Sequence, residues 1–143
     1  MPESDVTQIG RHRIWTEEDV FVVVANGPID GEETDRFNQA SLAVFQQYGY
    51  VLFLLDASAA TGLSEAARRT AAKFRREHPM PSASAIFGTN LVTRTVAILA
   101  FRVLILLRRD VVAEMKMFKT EAEARAWLAG QRPALQAKAA TSG

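Results

Sequence analysis

The sequence predicts one α/β domain of the order ββαβαβαβα, in which helices pack on a mixed sheet of five strands. Apolar runs of strand length alternate with longer helical patterns along most of the chain. Residues 50–55 are apolar at every position, which is typical of a strand that is covered on both faces in a parallel sheet. Strands that alternate with helices need crossover connections, so most of the sheet is expected to be parallel.

The first two strands are predicted by β-rich runs at residues 12–16 and 20–25, which an acidic turn separates. They should form an antiparallel hairpin. The helix that follows is expected to start after Asp30, which would cap it together with Glu33, and to stop at Gly49.

The central strand is predicted to end at Asp56, and Ser64 is the expected N-cap of the next helix. In that helix Phe74 should face inward, while the arginines should face solvent. These arginines are Arg68, Arg69, Arg75 and Arg76. The sequence His-Pro-Met-Pro then ends the helix, because proline cannot continue it.

The last third of the chain is predicted to contain a short strand at residues 83–88, an apolar helix at 91–109 and a strand at 113–118. A final helix follows, capped by Thr120 and Glu123. The length of 143 residues suits a single domain. We expect it to span residues 10–132, between a flexible N-terminus at 1–9 and a flexible tail at 133–143.

Composition and charge argue against several classes of function. The chain has 17 Lys and Arg residues against 16 Asp and Glu residues, so no overall positive field would attract nucleic acid. It has no cysteine, which excludes disulfides, thiol catalysis and thiolate metal sites. Nucleotide-binding glycine motifs, a serine-hydrolase elbow and metal-site histidine spacings are absent from the sequence. We therefore expect no catalytic residues, no cofactor and no metal.

Two segments bear on location. The N-terminal stretch carries acids and lacks the apolar region of a signal peptide. The longest apolar run, residues 95–107, is too short to span a membrane and contains Arg102. The expectation is a cytoplasmic protein without a transmembrane span.

The stretches "YVLFLLDASAATGLSEAARR" and "FKTEAEARAWL", together with the element order, resemble the SpoIIAA-like group of STAS-type proteins. STAS denotes the sulfate-transporter and anti-sigma-factor-antagonist domain, and the resemblance covers roughly residues 10–130. It implies a small non-enzymatic α/β domain. Some relatives are discussed alongside the CRAL-TRIO lipid-binding fold, which adds a lipid or small apolar-ligand carrier as an alternative function.

The resemblance also bears on the loop after the central strand. In anti-sigma antagonists a serine at the start of the second helix, preceded by an acid, is phosphorylated to switch partner binding. Asp56 resembles the acid that closes the central strand, and the phosphoacceptor position falls at Ser64. The residue before Ser64 is Leu63 rather than an acid, and the glycine comes earlier, at Gly62.

Asp56, Ser58 and Ser64 are the candidate regulatory or ligand-binding residues, because open α/β sheets bind ligands at the carboxyl ends of their strands. The residues themselves favour a connecting loop whose Ser64 caps a helix, then a phosphorylation switch, then catalysis. Phosphate at this position would meet the positive end of the helix, with Arg68 one turn further on.

The apolar helix at residues 91–109 is the second candidate surface. At about 100° per residue its arginines fall in one sector, and large apolar residues lie within or beside that sector. The residues of this surface are Arg94, Ile98, Phe101, Arg102, Ile105 and Arg109. Such a face suits a protein partner, a homodimer contact or an anionic lipid surface, unless another part of the fold covers it. The sequence thus favours a non-catalytic interaction or regulatory protein.

Phe101→Glu tests this surface by placing a charge in its middle. We expect a lower mass by sedimentation if the face joins two copies, since each buried apolar side chain contributes about 1.5 to 3 kcal/mol before association costs. If the face meets anionic membranes, liposome binding should fall instead, and wild-type binding should weaken with salt. An unchanged mass together with unchanged liposome binding would remove the hypothesis.

Overall fold

A six-stranded sheet forms the centre of the molecule. The structure, a computed structural model, describes residues 6–89 and 113–142. The strands lie side by side in chain order. β1, β2 and β3 are antiparallel neighbours, whereas β3, β4, β5 and β6 are parallel. The described elements are β1 (Thr7–Ile9), β2 (His12–Glu17), β3 (Val20–Ile29), α1 (Gly31–Tyr48), β4 (Val51–Leu63), α2 (Glu65–Glu77), β5 (Ser82–Phe87), β6 (Ala113–Phe118) and α3 (Glu121–Ser142). The predicted α/β class, the N-terminal hairpin and the largely parallel sheet are confirmed. The predicted apolar helix at 91–109 lies outside the described residues.

β1 is a strand that the sequence pattern does not predict, so the predicted count of five strands is too low. It occupies part of the segment for which a flexible N-terminus is expected. Its residues pair with the start of β2 across a turn in which Gly10 has a φ of 61°. Ile9 is 3% exposed and packs into the core. The burial of its apolar side chain stabilises the folded conformation of the segment before residue 10.

β4 lies between β3 and β5, and its first half is buried on both faces as predicted. Val51, Leu52 and Leu54 are each at most 1% exposed. Alternate side chains enter two different core clusters, one on each face of the sheet. The predicted end at Asp56 is wrong, because β3 continues to pair with β4 as far as Leu63.

The predicted ends of α1 are confirmed. The Asp30 carboxylate accepts a hydrogen bond from the Glu33 N–H at 2.8 Å, and the Glu33 carboxylate accepts one from the Asp30 N–H at 3.0 Å. Gly49 ends the helix with a φ of 82°. A Cβ added at Gly49 would lie 2.9 Å from the Cβ of Ala139, so this glycine also permits the close approach of α3.

α1 and α2 pack on one face of the sheet, and α3 packs on the other. Phe74 of α2 is buried as predicted. Arg75, which is predicted to face solvent, is half-buried and turns toward the sheet. The Arg75 guanidinium lies over the Phe53 ring at 5.9 Å from its centroid and donates to the Ser82 hydroxyl at 3.4 Å. Burial lowers the pKa of Arg75. Arg75 can turn inward because the Phe53 ring replaces part of the water around its guanidinium group, which stacks well on an aromatic face.

α3 continues through Pro133 into the segment that is predicted to be a flexible tail. A proline inside a helix costs about 3 kcal/mol, because it removes one backbone hydrogen bond and clashes with the preceding turn. Leu135 is 3% exposed in the core, and Ala139 packs against the same cluster. Burial of a leucine contributes about 1.5 to 3 kcal/mol, which is enough to offset most of that cost.

Two carboxylates at the β2–β3 turn hold α3 against the sheet. Asp19 accepts hydrogen bonds from Arg132 at 2.7 and 2.9 Å and from the Tyr50 hydroxyl at 2.6 Å. Glu17 accepts two from Arg125, at 2.9 and 3.0 Å, and its carboxylate also accepts one from the indole of Trp15. These forked contacts fix the position of α3 along the sheet.

The two carboxylates differ in their surroundings. Burial raises the pKa of Asp19, but hydrogen bonds from Arg132 and Tyr50 outweigh it and hold that pKa below its usual value of 3.8. The hydrogen bond from Arg125 lowers the pKa of the more exposed Glu17. The side chain of Asp19 is 6% exposed and that of Glu17 is 26% exposed. Asp19 should therefore matter more to stability.

Asp19→Asn should lower the free energy of unfolding by about 2 kcal/mol, because it weakens a buried charge-assisted pair. Glu17→Gln is the matched control, and we expect it to cost less than about 1 kcal/mol. Urea denaturation at neutral pH measures both. Equal costs would contradict the assignment of Asp19 as the principal anchor of α3.

The same pair predicts an acid dependence. Because the pKa of Asp19 is lower in the folded protein, its contribution is complete above the unfolded value of 3.8 and is lost as the pH falls toward the folded-state pKa. Below about pH 4, wild-type stability should therefore fall more steeply with decreasing pH than that of Asp19→Asn. Denaturant titrations across the acid range compare the two slopes, and identical slopes would refute the prediction.

Candidate functional site

Asp56 and Ser58 lie where β5 stops pairing with β4. The last paired residues are Asp56 and Phe87, and the chain after β5 turns at Gly88 with a φ of 86°. The Asp56 Oδ1 accepts hydrogen bonds from the Ser58 N–H at 3.0 Å and from its hydroxyl at 2.5 Å. The carboxylate therefore holds the local backbone in place.

Gly88 packs directly against this pair. A Cβ at position 88 would lie 2.9 Å from the Cβ of Ser58 and 3.0 Å from its backbone N. No side chain fits between the two segments, so the turn after β5 closes against Ser58. Asp56 and Ser58 are predicted to lie at the carboxyl end of the central strand, but β4 continues to Leu63. The two residues therefore lie within β4, beside the end of β5.

Beyond Asp56, β3 and β4 continue together as a two-stranded ribbon, defined by residues 26–29 and 57–63. Register shifts between Val24 and Asn26 and between Gly27 and Pro28 bend the pairing along the ribbon. At its end the Ser64 N–H donates to the carbonyl of Ile29 at 3.0 Å. The ribbon thus separates Ser64 from Asp56 and Ser58, and the three predicted residues form two places rather than one site.

Ser64 caps α2, as the sequence predicts. Its hydroxyl oxygen accepts a hydrogen bond from the Ala67 N–H at 3.0 Å. Arg68 donates to the carbonyl of Leu63 at 2.9 Å, so it braces the residue before the cap. Ser64 itself is exposed. Its environment is that of a helix cap that a partner or a modifying enzyme could reach.

A cleft of about 450 Å³ opens beside Ser64, between the start of α1 and the β1–β2 turn. It is lined by Gly10, Arg11, His12, Pro28, Ile29, Asp30, Glu33 and Ser64. The two helix N-termini meet here, each with its cap in place. Asp30 and Glu33 make this part of the surface acidic, with Arg11 beside them.

His12 is a buried residue of this cleft, and it is not among the candidate residues predicted from the sequence. It is 0% exposed, and its Nδ1 accepts the Asn26 N–H at 2.9 Å. Its Nε2 therefore carries the proton and donates to the Glu33 Oε1 at 3.1 Å. This neutral imidazole ties β3 to the start of α1. The alternation of His12 and Ile14 as inward residues of β2 is the signal that could have revealed it.

The exposure of Leu63 is a second feature of the site that the sequence does not predict. It is 49% exposed, and it ends the ribbon next to Ser64. Among the described residues it is the large hydrophobic side chain that most clearly faces solvent. The tip of the ribbon, defined here as Leu63 and Ser64, is therefore both apolar and accessible.

The predicted surface at Arg94, Ile98, Phe101, Arg102, Ile105 and Arg109 lies outside the described residues. Within residues 6–89 and 113–142, no cluster of three or more histidine or acidic side chains could hold a metal ion. No helix in the same part of the chain is long and apolar enough to cross a membrane.

Comparisons with known proteins agree on the fold. A protein of the DUF3478 family from Shewanella loihica PV-4, described as having a SpoIIAA-like fold, superposes with a TM-score of 0.60 at 19% identity, covering 80% of this chain and 90% of that one. The anti-sigma factor antagonist SpoIIAA in its unphosphorylated form superposes with a TM-score of 0.51 at 11% identity, covering 83% and 98%. At these identities the likeness establishes the fold.

The sequence itself provides the assignment to a family. No curated protein matches the chain. The SpoIIAA-like family matches residues 20–129, from the start of β3 into α3 and thus over most of the sheet. This chain belongs to the SpoIIAA-like family.

Proposed function

We propose that this protein is a non-catalytic regulatory domain that binds a protein partner through the tip of the ribbon. The observation that carries the proposal is the exposure of Leu63, 49% of whose surface meets solvent beside the accessible cap residue Ser64. A partner that covered this side chain would gain the free energy of removing its apolar surface from water. The family adds support, because a structural neighbour is an anti-sigma factor antagonist.

The chemistry of the candidate residues also favours binding over catalysis. The Ser58 hydroxyl donates to Asp56, and the Ser64 oxygen accepts the Ala67 N–H. The nearby His12 uses both ring nitrogens in structural hydrogen bonds. None of these described contacts joins a serine hydroxyl to an imidazole, and each of them stabilises local backbone or a helix start.

Two further expectations from the sequence stay predictions. One is a homodimer or anionic-lipid contact through the surface that contains Phe101. The other is the alternative function of a carrier for a lipid or small apolar ligand, which requires a largely enclosed apolar cavity. Native mass spectrometry of the purified protein tests the carrier, since a bound lipid would appear as a discrete added mass. The cytoplasmic location also stays a prediction.

A photo-crosslinking amino acid in place of Leu63 tests the proposed contact in the native host. We expect a discrete covalent adduct with one partner protein, because the side chain lies at the centre of the proposed contact. Ala126 is the matched control position, since it is exposed on α3 on the opposite face of the sheet. Leu63→Asp should reduce recovery of the same partner about tenfold or more in affinity capture, as expected for loss of a buried anchor.

The outcome at the control position decides the interpretation. Adducts that form equally from positions 63 and 126 would show non-specific encounter and contradict the proposal. The absence of any adduct from position 63 under conditions where the protein is folded would also contradict it.

Substitutions of Ser64 separate capping from regulation. Ser64→Ala should lower the free energy of unfolding by about 1 kcal/mol, because the Ala67 N–H loses its acceptor. Ser64→Asp should stay near wild type in urea denaturation, since aspartate is an equally good N-cap. We expect neither change to abolish the crosslink from position 63. If Ser64→Asp abolished the crosslink while Ser64→Ala kept it, the residue would act as a charge-sensitive switch rather than as a cap.

A further inference from the structure

The outer face of α2 carries a concentration of positive charge that the proposed function has not used. The helix contains five basic residues and two acidic ones, Glu65 and Glu77. Arg75 turns inward over Phe53, and the other four basic residues are exposed. We define the α2 basic face by these four residues, which are Arg68, Arg69, Lys73 and Arg76.

The four side chains form a continuous strip. At about 100° per residue they fall within a sector of about 140°, and the strip is about 12 Å long at 1.5 Å per residue. Ala72 lies within this sector and Thr70 lies beyond its edge. Together with Arg69, Lys73 and Arg76 they line a shallow groove of about 400 Å³. These small residues leave room for a chain to lie against the helix.

The strip begins at the tip of the ribbon. Arg68 donates to the carbonyl of Leu63 at 2.9 Å, so the first cation of the face touches the proposed apolar anchor. The neighbouring Arg69 is held by Glu65 at 2.8 Å, but both side chains are largely exposed, at 69% and 75%. An exposed pair of this kind is worth little, and an incoming carboxylate can replace Glu65 at low cost.

Acidic residues border the face on the side of α1. Asp35 and Glu77 line a cleft between α1 and α2 together with Lys73. Glu32 is exposed nearby in the first turn of α1. A membrane surface or the backbone of a nucleic acid is a broad array of negative charge. Either of them would also approach these carboxylates, which would repel it. A narrow acidic segment can lie along α2 alone.

We infer that the α2 basic face binds an acidic segment of the protein partner, with Leu63 receiving an apolar residue next to that segment. This inference rests on the proposed function and specifies its partner. Three of the four cations are arginines, whose forked guanidinium groups suit carboxylates. Aspartate or glutamate side chains that are spaced along an extended or helical segment can each meet a cation of the α2 basic face.

The test uses a fluorescein-labelled peptide of alternating Glu and Ala residues and measures binding to the full chain by fluorescence anisotropy at low salt. The variant Lys73→Glu with Arg76→Glu reverses two charges of the face. The matched control, Arg13→Glu with Lys119→Glu, makes the same change in net charge at exposed positions in β2 and before α3. We expect the first variant to bind the peptide about fivefold to tenfold more weakly and the control to change less than about twofold.

Equal weakening in both variants would mean that net charge alone attracts the peptide, and it would overturn the inference. Vesicles of phosphatidylcholine with phosphatidylglycerol, and a short DNA duplex, serve as competing probes. Tighter binding of either probe than of the peptide, lost in the Lys73→Glu, Arg76→Glu variant, would overturn an acidic protein segment as the occupant. Thermal unfolding of both variants confirms that they are folded.

These results are independent of the crosslink from position 63. If the crosslink persists and the peptide result fails, the inference is wrong while the proposed function stands. If the peptide result holds and the crosslink is absent, the proposed contact at Leu63 fails and the basic face is a binding surface in its own right.

Discussion

The parallel pairing of β3 with β4 is the constraint on which the rest of the structure depends. Along its first half it places β4 inside the sheet, where Val51 and Leu52 face opposite sides and both must be covered. That requirement puts α1 and α2 on one face and α3 on the other. Along its second half the same pairing becomes a ribbon that ends between the two capped helix starts. One strand pair thus provides the core at one end and the accessible tip at the other.

Polar interactions divide between these two ends. At the end where β3 begins, Asp19 and Glu17 hold α3 through forked arginine contacts. At the opposite end, His12 joins the β3 backbone to the Glu33 of α1. The contacts of α3 are pairs of opposite charge. The contact at the start of α1 joins a neutral imidazole to Glu33, which also forms the capping box. Both sets of contacts fix helices to the sheet. Among the described residues, the large apolar side chain that stays exposed is Leu63 at the tip of the ribbon.

The sequence predicted those features that depend on neighbouring residues. Asp30, Glu33 and Gly49 mark the ends of α1, and Ser64 caps α2, because caps act over only a few residues of chain. Features that depend on distant contacts were missed. The small residues at 57–63 suggest a loop, and they form strand only because β3 supplies partners from about 30 residues earlier in the chain. The helix beyond Pro133 depends in the same way on core contacts of Leu135.

The candidate site shows the same division. The capping position of Ser64 followed from local pattern. The continuation of β4 beyond Asp56, which separates the two residues, did not. The exposure of Leu63 and the burial of Arg75 are properties of the assembled surface, and no periodicity within α2 or β4 distinguishes them. His12 could have been recognised as an inward residue of β2, but its partners Asn26 and Glu33 are remote in the sequence.

Gly49 carries a consequence for how far this sequence can vary. Helix C-termini of this kind usually accept asparagine as well as glycine, because asparagine also adopts the left-handed conformation. At position 49 asparagine would not fit, because any Cβ there would lie 2.9 Å from the Cβ of Ala139 in α3. A change at Gly49 would therefore need a compensating change near the end of α3, about 90 residues away in the chain. Among related sequences, the two positions should drift together rather than independently.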